Sequence, residues 1–170
     1  MEALLSAETI AARVRELGAQ IARDYAGKDL VLVTVLKGAF VFGADLSRAI
    51  DLPLTVEFFS ASSYGDGVAS TGDVRVTLEP EGTLAGRDVL LVEDIVDTGR
   101  TAARLLELLR GHEPASLKLC ALLDKPSRRE VEVTLDYKGF EIADEFVVGY
   151  GLDLAGVWRN LPYVGVINTD

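Results

Sequence analysis

The chain has 170 residues, 49% of them apolar and 26% charged, which suits one globular domain with a real core and leaves no room for two ordinary ones. Its formal net charge of −10 argues against general affinity for nucleic acid or an anionic membrane surface. No apolar run approaches the ~20 residues of a membrane helix, Met1 to Leu5 lacks the flank of a signal peptide, and a lone cysteine, Cys120, can form neither an internal disulfide nor a zinc cluster. A reducing cytoplasm fits these features.

The elements follow from periodicity. Ser6 to Ala26 reads as an amphipathic helix, with Ile10, Val14, Leu17 and Ile21 on one face and Ser6 as its N-cap. Leu30 to Leu36 is apolar throughout, as expected of a strand covered on both faces. Lys37-Gly38 breaks it, and Ala39 to Ile50 reads as a helix. Leu54 to Ser60 is the next strand, Ser60 to Asp73 a surface loop with one aromatic, Tyr64, and Val74 to Leu78 a further strand. Val89 to Val92 opens the most informative stretch; the helix that follows it ends near Gly111, and Leu117 to Leu123 is another buried strand. Shorter strands are expected at Val131 to Leu135, Phe146 to Val148 and Val164 to Ile167. Strand–helix alternation implies an α/β fold with a largely parallel central sheet flanked by helices. Ligands of such sheets sit outside the carboxyl ends of the strands.

The informative stretch is Val92-Glu93-Asp94-Ile95-Val96-Asp97-Thr98-Gly99-Arg100-Thr101. A buried strand runs into two adjacent carboxylates, the chain turns through a third acid and a Thr-Gly pair, and a helix begins. A helix start offers free N–H groups and a positive dipole end to a phosphate. Adjacent carboxylates suit sugar hydroxyls or a hydrated magnesium ion, and the third acid can move a proton. The spacing is not the longer Walker pattern. The bland alternatives are a solvated strand end for Glu93-Asp94 and a plain helix cap for Asp97 and Thr98.

This stretch resembles the phosphoribosyl-pyrophosphate (PRPP) motif of the type I phosphoribosyltransferases. Three more segments support the resemblance in order and spacing: Leu36-Lys37-Gly38 is similar to the family's pyrophosphate loop, Ser63-Tyr64 to its mobile lid, and Leu123-Asp124-Lys125-Pro126 with Phe146 to Asp153 and Arg159 to the base-binding hood of the 6-oxopurine branch. The resemblance runs from about Val31 to Ile167. It implies one phosphoribosyltransferase domain over residues 1–170, with a small hood formed by the N-terminal segment and roughly 125–170.

The resemblance further implies transfer of phosphoribose from PRPP to N9 of hypoxanthine or guanine, giving IMP or GMP plus pyrophosphate. Glu93 and Asp94 would hold the ribose hydroxyls and help organise magnesium, and Asp153 would bind a second magnesium. Asp97 would act as general acid/base beside N7 of the purine. Thr98, Gly99, Arg100 and Thr101 would cradle the 5′-phosphate, mostly through backbone, so that Arg100 in place of the family's frequent Lys matters little. Lys37, Gly38 and Arg159 would meet pyrophosphate, in a loop whose peptide before the Lys is strained in the family. Lys125 would donate to the exocyclic O6; an ammonium cannot accept, which favours a 6-oxo over a 6-amino purine. Phe146 would stack on the base and the Val147 backbone, with Asp153 nearby, would meet its edge. Ser63 and Tyr64 would close over the reacting centre.

On their own, Lys37 is a strand-ending charge, Lys125 a turn lysine and Phe146 a core aromatic. His112 reads as an end-of-helix residue, Trp158 as core or subunit contact, and Arg128-Arg129 as a solvated pair. The family forms homodimers and homotetramers, and the apolar helix Ala39 to Ile50 is a candidate contact. The alternatives are a PRPP-binding regulatory or RNA-binding homologue, against which acidity weighs, and a transferase for another base such as xanthine.

Overall fold

The computed structural model describes residues 1–63 and 74–168, with nothing said of the Ser63 side chain. The expected lid therefore reduces to Ser63 at a strand end; Tyr64 lies outside the described residues.

A six-stranded sheet is built from β2 (Leu30–Leu36), β3 (Thr55–Ser63), β4 (Val74–Leu78), β5 (Asp88–Val96), β6 (Ser116–Asp124) and β7 (Tyr137–Glu141), in the order β4-β3-β2-β5-β6-β7. All pairs are parallel except β3–β4. A second, antiparallel sheet joins β1 (Glu2–Leu5), β9 (Val164–Val166) and β8 (Val147–Val148) in the order β1-β9-β8. It unites the N-terminus with the C-terminal third.

The central strands bury both faces, and the two-residue period sorts them. Leu30, Leu32, Leu90, Val92, Cys120 and Leu122 point into a core shared with α1 (Ala7–Asp24) and α2 (Phe40–Ala49). Val31, Val33, Val89, Leu91, Leu119 and Ala121 point to the other face, under α3 (Arg100–Arg110). Helix α1 buries Ile10, Val14, Leu17 and Ile21, and the Ser6 hydroxyl accepts the Thr9 N–H at 3.1 Å, as its cap role requires. Arg13 ties α1 to β7 by donating to the carbonyls of Lys138 (2.6 Å) and Gly139 (3.0 Å).

Two differences from the sequence reading have physical causes. Residues 131–135 form no ladder. Their start is pulled away, because the N–H groups of Glu130 and Val131 donate to the Thr98 carbonyl at 2.9 and 3.0 Å. Pairing begins only where Asp136 N–H meets Leu119 O at 3.0 Å, so the strand is Tyr137–Glu141. Val133 and Leu135 still pack inward, which produces the alternation. Trp158 is not core: it is 44% exposed with φ of +76°.

The connections create the site. After β2 the chain crosses to α2 on one face, and after β5 it crosses to α3 on the other. This reversal leaves a crevice between β2 and β5 at their carboxyl ends. The ladder between them stops at Thr34 and Val92, while β5 stays paired with β6 through Val96 and Asp124. Glu93 and Asp94 therefore lie inside β5, where its partner on one side has already turned away.

Helix packing yields one stability test. Gly18 is buried in α1, and a Cβ there would run into the Ala49 carbonyl of α2. Alanine gains about 1 kcal/mol of helix propensity over glycine, but overpacking against backbone typically costs about 1–3 kcal/mol. Gly18→Ala should therefore lower the urea midpoint; an unchanged or higher midpoint would contradict this packing.

Candidate active site

The turn Asp97–Thr98–Gly99 hands β5 to α3. Gly99 is the helix N-cap at φ +87°, a left-handed conformation that glycine adopts at no steric cost, and a Cβ there would strike the Val131 carbonyl. No side chain caps the helix through Gly99, so the first-turn amides face the cleft. The Thr98 hydroxyl accepts the Arg100 N–H at 3.3 Å. The Arg100 side chain pairs with Glu130 at 2.7 Å. The cleft holds about 240 Å³ and is lined by Glu93 to Gly99, Thr101 and Ala102.

Glu93 is 5% exposed and Asp94 is half-buried. Burial, then the neighbouring Asp94 carboxylate, holds the Glu93 carboxyl well above its usual range. Burial also raises Asp94, partly offset by the Ile95 N–H, which donates to it at 2.8 Å, and by the charge of Arg159. Two adjacent carboxylates are hard oxygen donors of the kind a magnesium ion accepts; magnesium needs only one or two, taking the rest from water and phosphate. Among the described residues no three acidic, His or Cys groups converge on a common point, so Asp153 is not part of one cage with Glu93 and Asp94.

The pyrophosphate-loop residues reach the same corner. The Leu36–Lys37 peptide is cis. Lys37 is exposed, its carbonyl accepts the Phe40 N–H at 3.1 Å, and Gly38 packs directly on the Asp94 carboxylate, where a Cβ would not fit. Gly151, at φ +101°, packs on the Gly38 carbonyl. Arg159 donates to the Gly151 carbonyl at 2.6 Å and pairs with Asp153 at 3.0 Å; Asp153 also accepts the Gly156 N–H at 2.7 Å. Lys37, Gly38, Asp94, Asp153 and Arg159 are thus brought together from three distant segments.

The residues expected to meet the base lie just after β6 and at β8. Lys125 is 7% exposed, its N–H donates to the Val96 carbonyl at 2.9 Å, and its ammonium lies 3.8 Å from Asp144. Val147 is buried in β8, while Phe146 is 44% exposed, so it is not the core aromatic that its strand context suggests.

Sequence reading missed four residues here. Arg128 Nε donates to Asp97 Oδ1 at 3.1 Å. Arg129 donates to the Asp97 carbonyl at 2.8 Å and is ion-paired with buried Asp124. Asp144 faces Lys125 and Arg128 together. Only the Arg-Arg pair gave a signal, and nothing local said that it reaches back to Asp97.

Comparison with known proteins agrees with this geometry. Residues 1–154 match the phosphoribosyl transferase domain family. A hypoxanthine phosphoribosyltransferase of Haemophilus influenzae is 51% identical, over 98% of this chain and 95% of its own. A crystal structure of a hypoxanthine phosphoribosyltransferase from Staphylococcus aureus superposes with a TM-score of 0.95 at 45% identity, covering 99% of this chain and 91% of that one. A hypoxanthine-guanine phosphoribosyltransferase from Bacillus anthracis has the same score and identity, with 99% of both chains covered. The chain therefore belongs to the type I phosphoribosyltransferase family, in its hypoxanthine-guanine branch.

Proposed function

We infer that the protein is a purine salvage enzyme that transfers phosphoribose from PRPP to N9 of hypoxanthine or guanine, releasing pyrophosphate and giving IMP or GMP. The observation that carries this reading is the convergence of two adjacent acids (Glu93 buried, Asp94 half-buried), a helix start whose N-cap Gly99 makes no side-chain hydrogen bond, and a buried lysine whose N–H is bonded to Val96 just before that helix start.

In this reading the first-turn amides of α3, with Thr98, Gly99, Arg100 and Thr101, hold the 5′-phosphate. Glu93 and Asp94 hold the ribose hydroxyls and would carry magnesium, with Asp153 serving a second ion. Bound magnesium supplies charge neutralisation at the departing pyrophosphate. Lys37, the Gly38 backbone and Arg159 bind that group. The bond from ribose C1 to pyrophosphate breaks with its electron pair on the leaving oxygen, and the N9 lone pair forms the new bond. Asp97, beside N7, takes the proton that the base gives up, which raises the nucleophilicity of N9. Lys125 donates to O6, Phe146 stacks on the ring, and the Val147 backbone meets its edge. Cations aimed at the developing negative charge and a carboxylate aimed at the base stabilise both ends of the charge separation.

Further assignments complete the reading. Residues 1–170 act as one domain, with the small sheet and residues 125–170 as hood. Phe40 at the head of α2 and Val56 and Phe58 on β3, all exposed, are the surface we assign to a homodimer or homotetramer. The buried, free Cys120 suits the cytoplasm.

Nucleotide formation from PRPP, magnesium and a panel of bases tests the function: hypoxanthine and guanine should turn over, adenine should not, and turnover of adenine alone would overturn the reading. Asp97→Asn should reduce turnover by about 100-fold or more while PRPP affinity holds. Lys125→Ala should weaken 6-oxopurine binding and spare PRPP; equal loss of both would count against its role.

Glu93 supplies a test with the opposite sign. A carboxyl whose folded pKa is raised binds its proton more tightly when folded. Its stabilising effect is complete below the unfolded pKa and is lost as pH rises through the folded one. In chelator without substrate, Glu93→Gln should therefore be more stable than the parent at neutral pH and should lose less stability as pH rises above the ordinary Glu range, while binding PRPP more weakly. Thermal melts across pH check the first half and titration the second.

A further inference from the structure

We propose that Arg128 is a positioning residue for Asp97: its guanidinium fixes one oxygen of that carboxylate so that the other is aimed at the purine. This rests on the assignment of Asp97 as the group that handles the base proton, and goes beyond it by naming what holds that group.

The geometry is specific. Pro126–Arg128 is a single 3-10 turn that follows Lys125 directly. It carries the Arg128 Nε to 3.1 Å from Asp97 Oδ1. The bond engages Oδ1 and leaves the Asp97 side chain 41% exposed to solvent. The guanidinium is held from behind by Asp144, 3.7 Å from its NH1 group, and Asp144 also faces the Lys125 ammonium at 3.8 Å. Arg129 grips the backbone of the same residue, donating to the Asp97 carbonyl. Consecutive arginines thus hold Asp97 at side chain and main chain.

The chemistry favours aim over stability as the purpose. Asp97 and Arg128 side chains are 41% and 48% exposed, and exposed ion pairs contribute little to folding. A misplacement of a reacting group by about 1 Å can cost a rate on the order of 100-fold. Purine O6 and N7 share one edge of the base, so a chain running Lys125–Asp144–Arg128–Asp97 sets the O6 donor and the N7 partner relative to each other. Arginine suits this because its planar donors fix direction as well as charge.

The test is a double-mutant cycle on the full-length enzyme. Arg128→Ala should lower kcat by about 10- to 100-fold, with PRPP affinity, followed through the single tryptophan Trp158 beside Arg159, within about twofold and Tm within about 4 °C of the parent. Added guanidinium ion should restore part of the loss, which a merely structural role would not allow. In an Asp97→Asn background the same substitution should have almost no further effect on kcat. Arg128→Gln, which keeps the stem and loses the cation, is the second variant should the alanine variant fold poorly, and it should show the same loss. Equal losses in both backgrounds, unchanged kcat, or parallel loss of PRPP affinity would each overturn the proposal. An Asp97→Asn enzyme with parental turnover would instead remove the assignment of Asp97, whatever Arg128 does.

Discussion

Two places where a side chain is forbidden hold this site together. Gly38 lies on the Asp94 carboxylate, and Gly151 lies on the Gly38 carbonyl; a Cβ at either position would occupy space already filled. Through them the loop after β2, the acidic strand β5 and the C-terminal hood segment meet at one point. Arg159 reaches the corner because it donates to the Gly151 carbonyl, and its charge is felt at Asp94. The sheet supplies the complementary constraint. Because α2 and α3 leave adjacent strands toward opposite faces, neither helix covers the crevice between β2 and β5.

An acidic protein that handles anionic ligands must reverse its field locally. The net charge of −10 is an average, and the cations are distributed unevenly. Arg48, Arg87 and Arg104 are spent in surface pairs with Asp45, Asp29 and Glu107. Lys37, Lys125, Arg128, Arg129 and Arg159 are collected around the crevice, together with the positive end of α3. The adjacent pair of buried Glu93 and half-buried Asp94 works the other way. Burial and mutual proximity make ionising both carboxyls costly.

The segment from Lys125 to Val131 links the two halves of the site. Lys125 is tied to Val96, Arg128 and Arg129 to Asp97, and Glu130 and Val131 to the Thr98 carbonyl. Five of these seven consecutive residues are therefore hydrogen-bonded to the strand end and turn at Val96 to Thr98.

The sequence by itself determined what is local. The two-residue and 3.6-residue periods located the central strands and the helices, Ser6 marked a cap, and the acid–turn–helix stretch carried its own chemistry, since each depends on neighbours within about one turn. It also placed Lys37-Gly38 and the acidic turn at strand carboxyl ends, which parallel pairing brings to one crevice. It misread residues 131–135, because one-sided burial alternates as a strand does, and only the capture of two N–H groups by Thr98 decides against a ladder. It left Arg128 as a solvated charge, because the partner is 31 positions away. Phe146 was read in isolation as core, and its exposure depends on how β8 pairs with β9 across the chain. What tertiary structure alone decided is which distant groups share a few ångströms. No residue-level preference encodes such a distance, because it is set by the packing of whole elements.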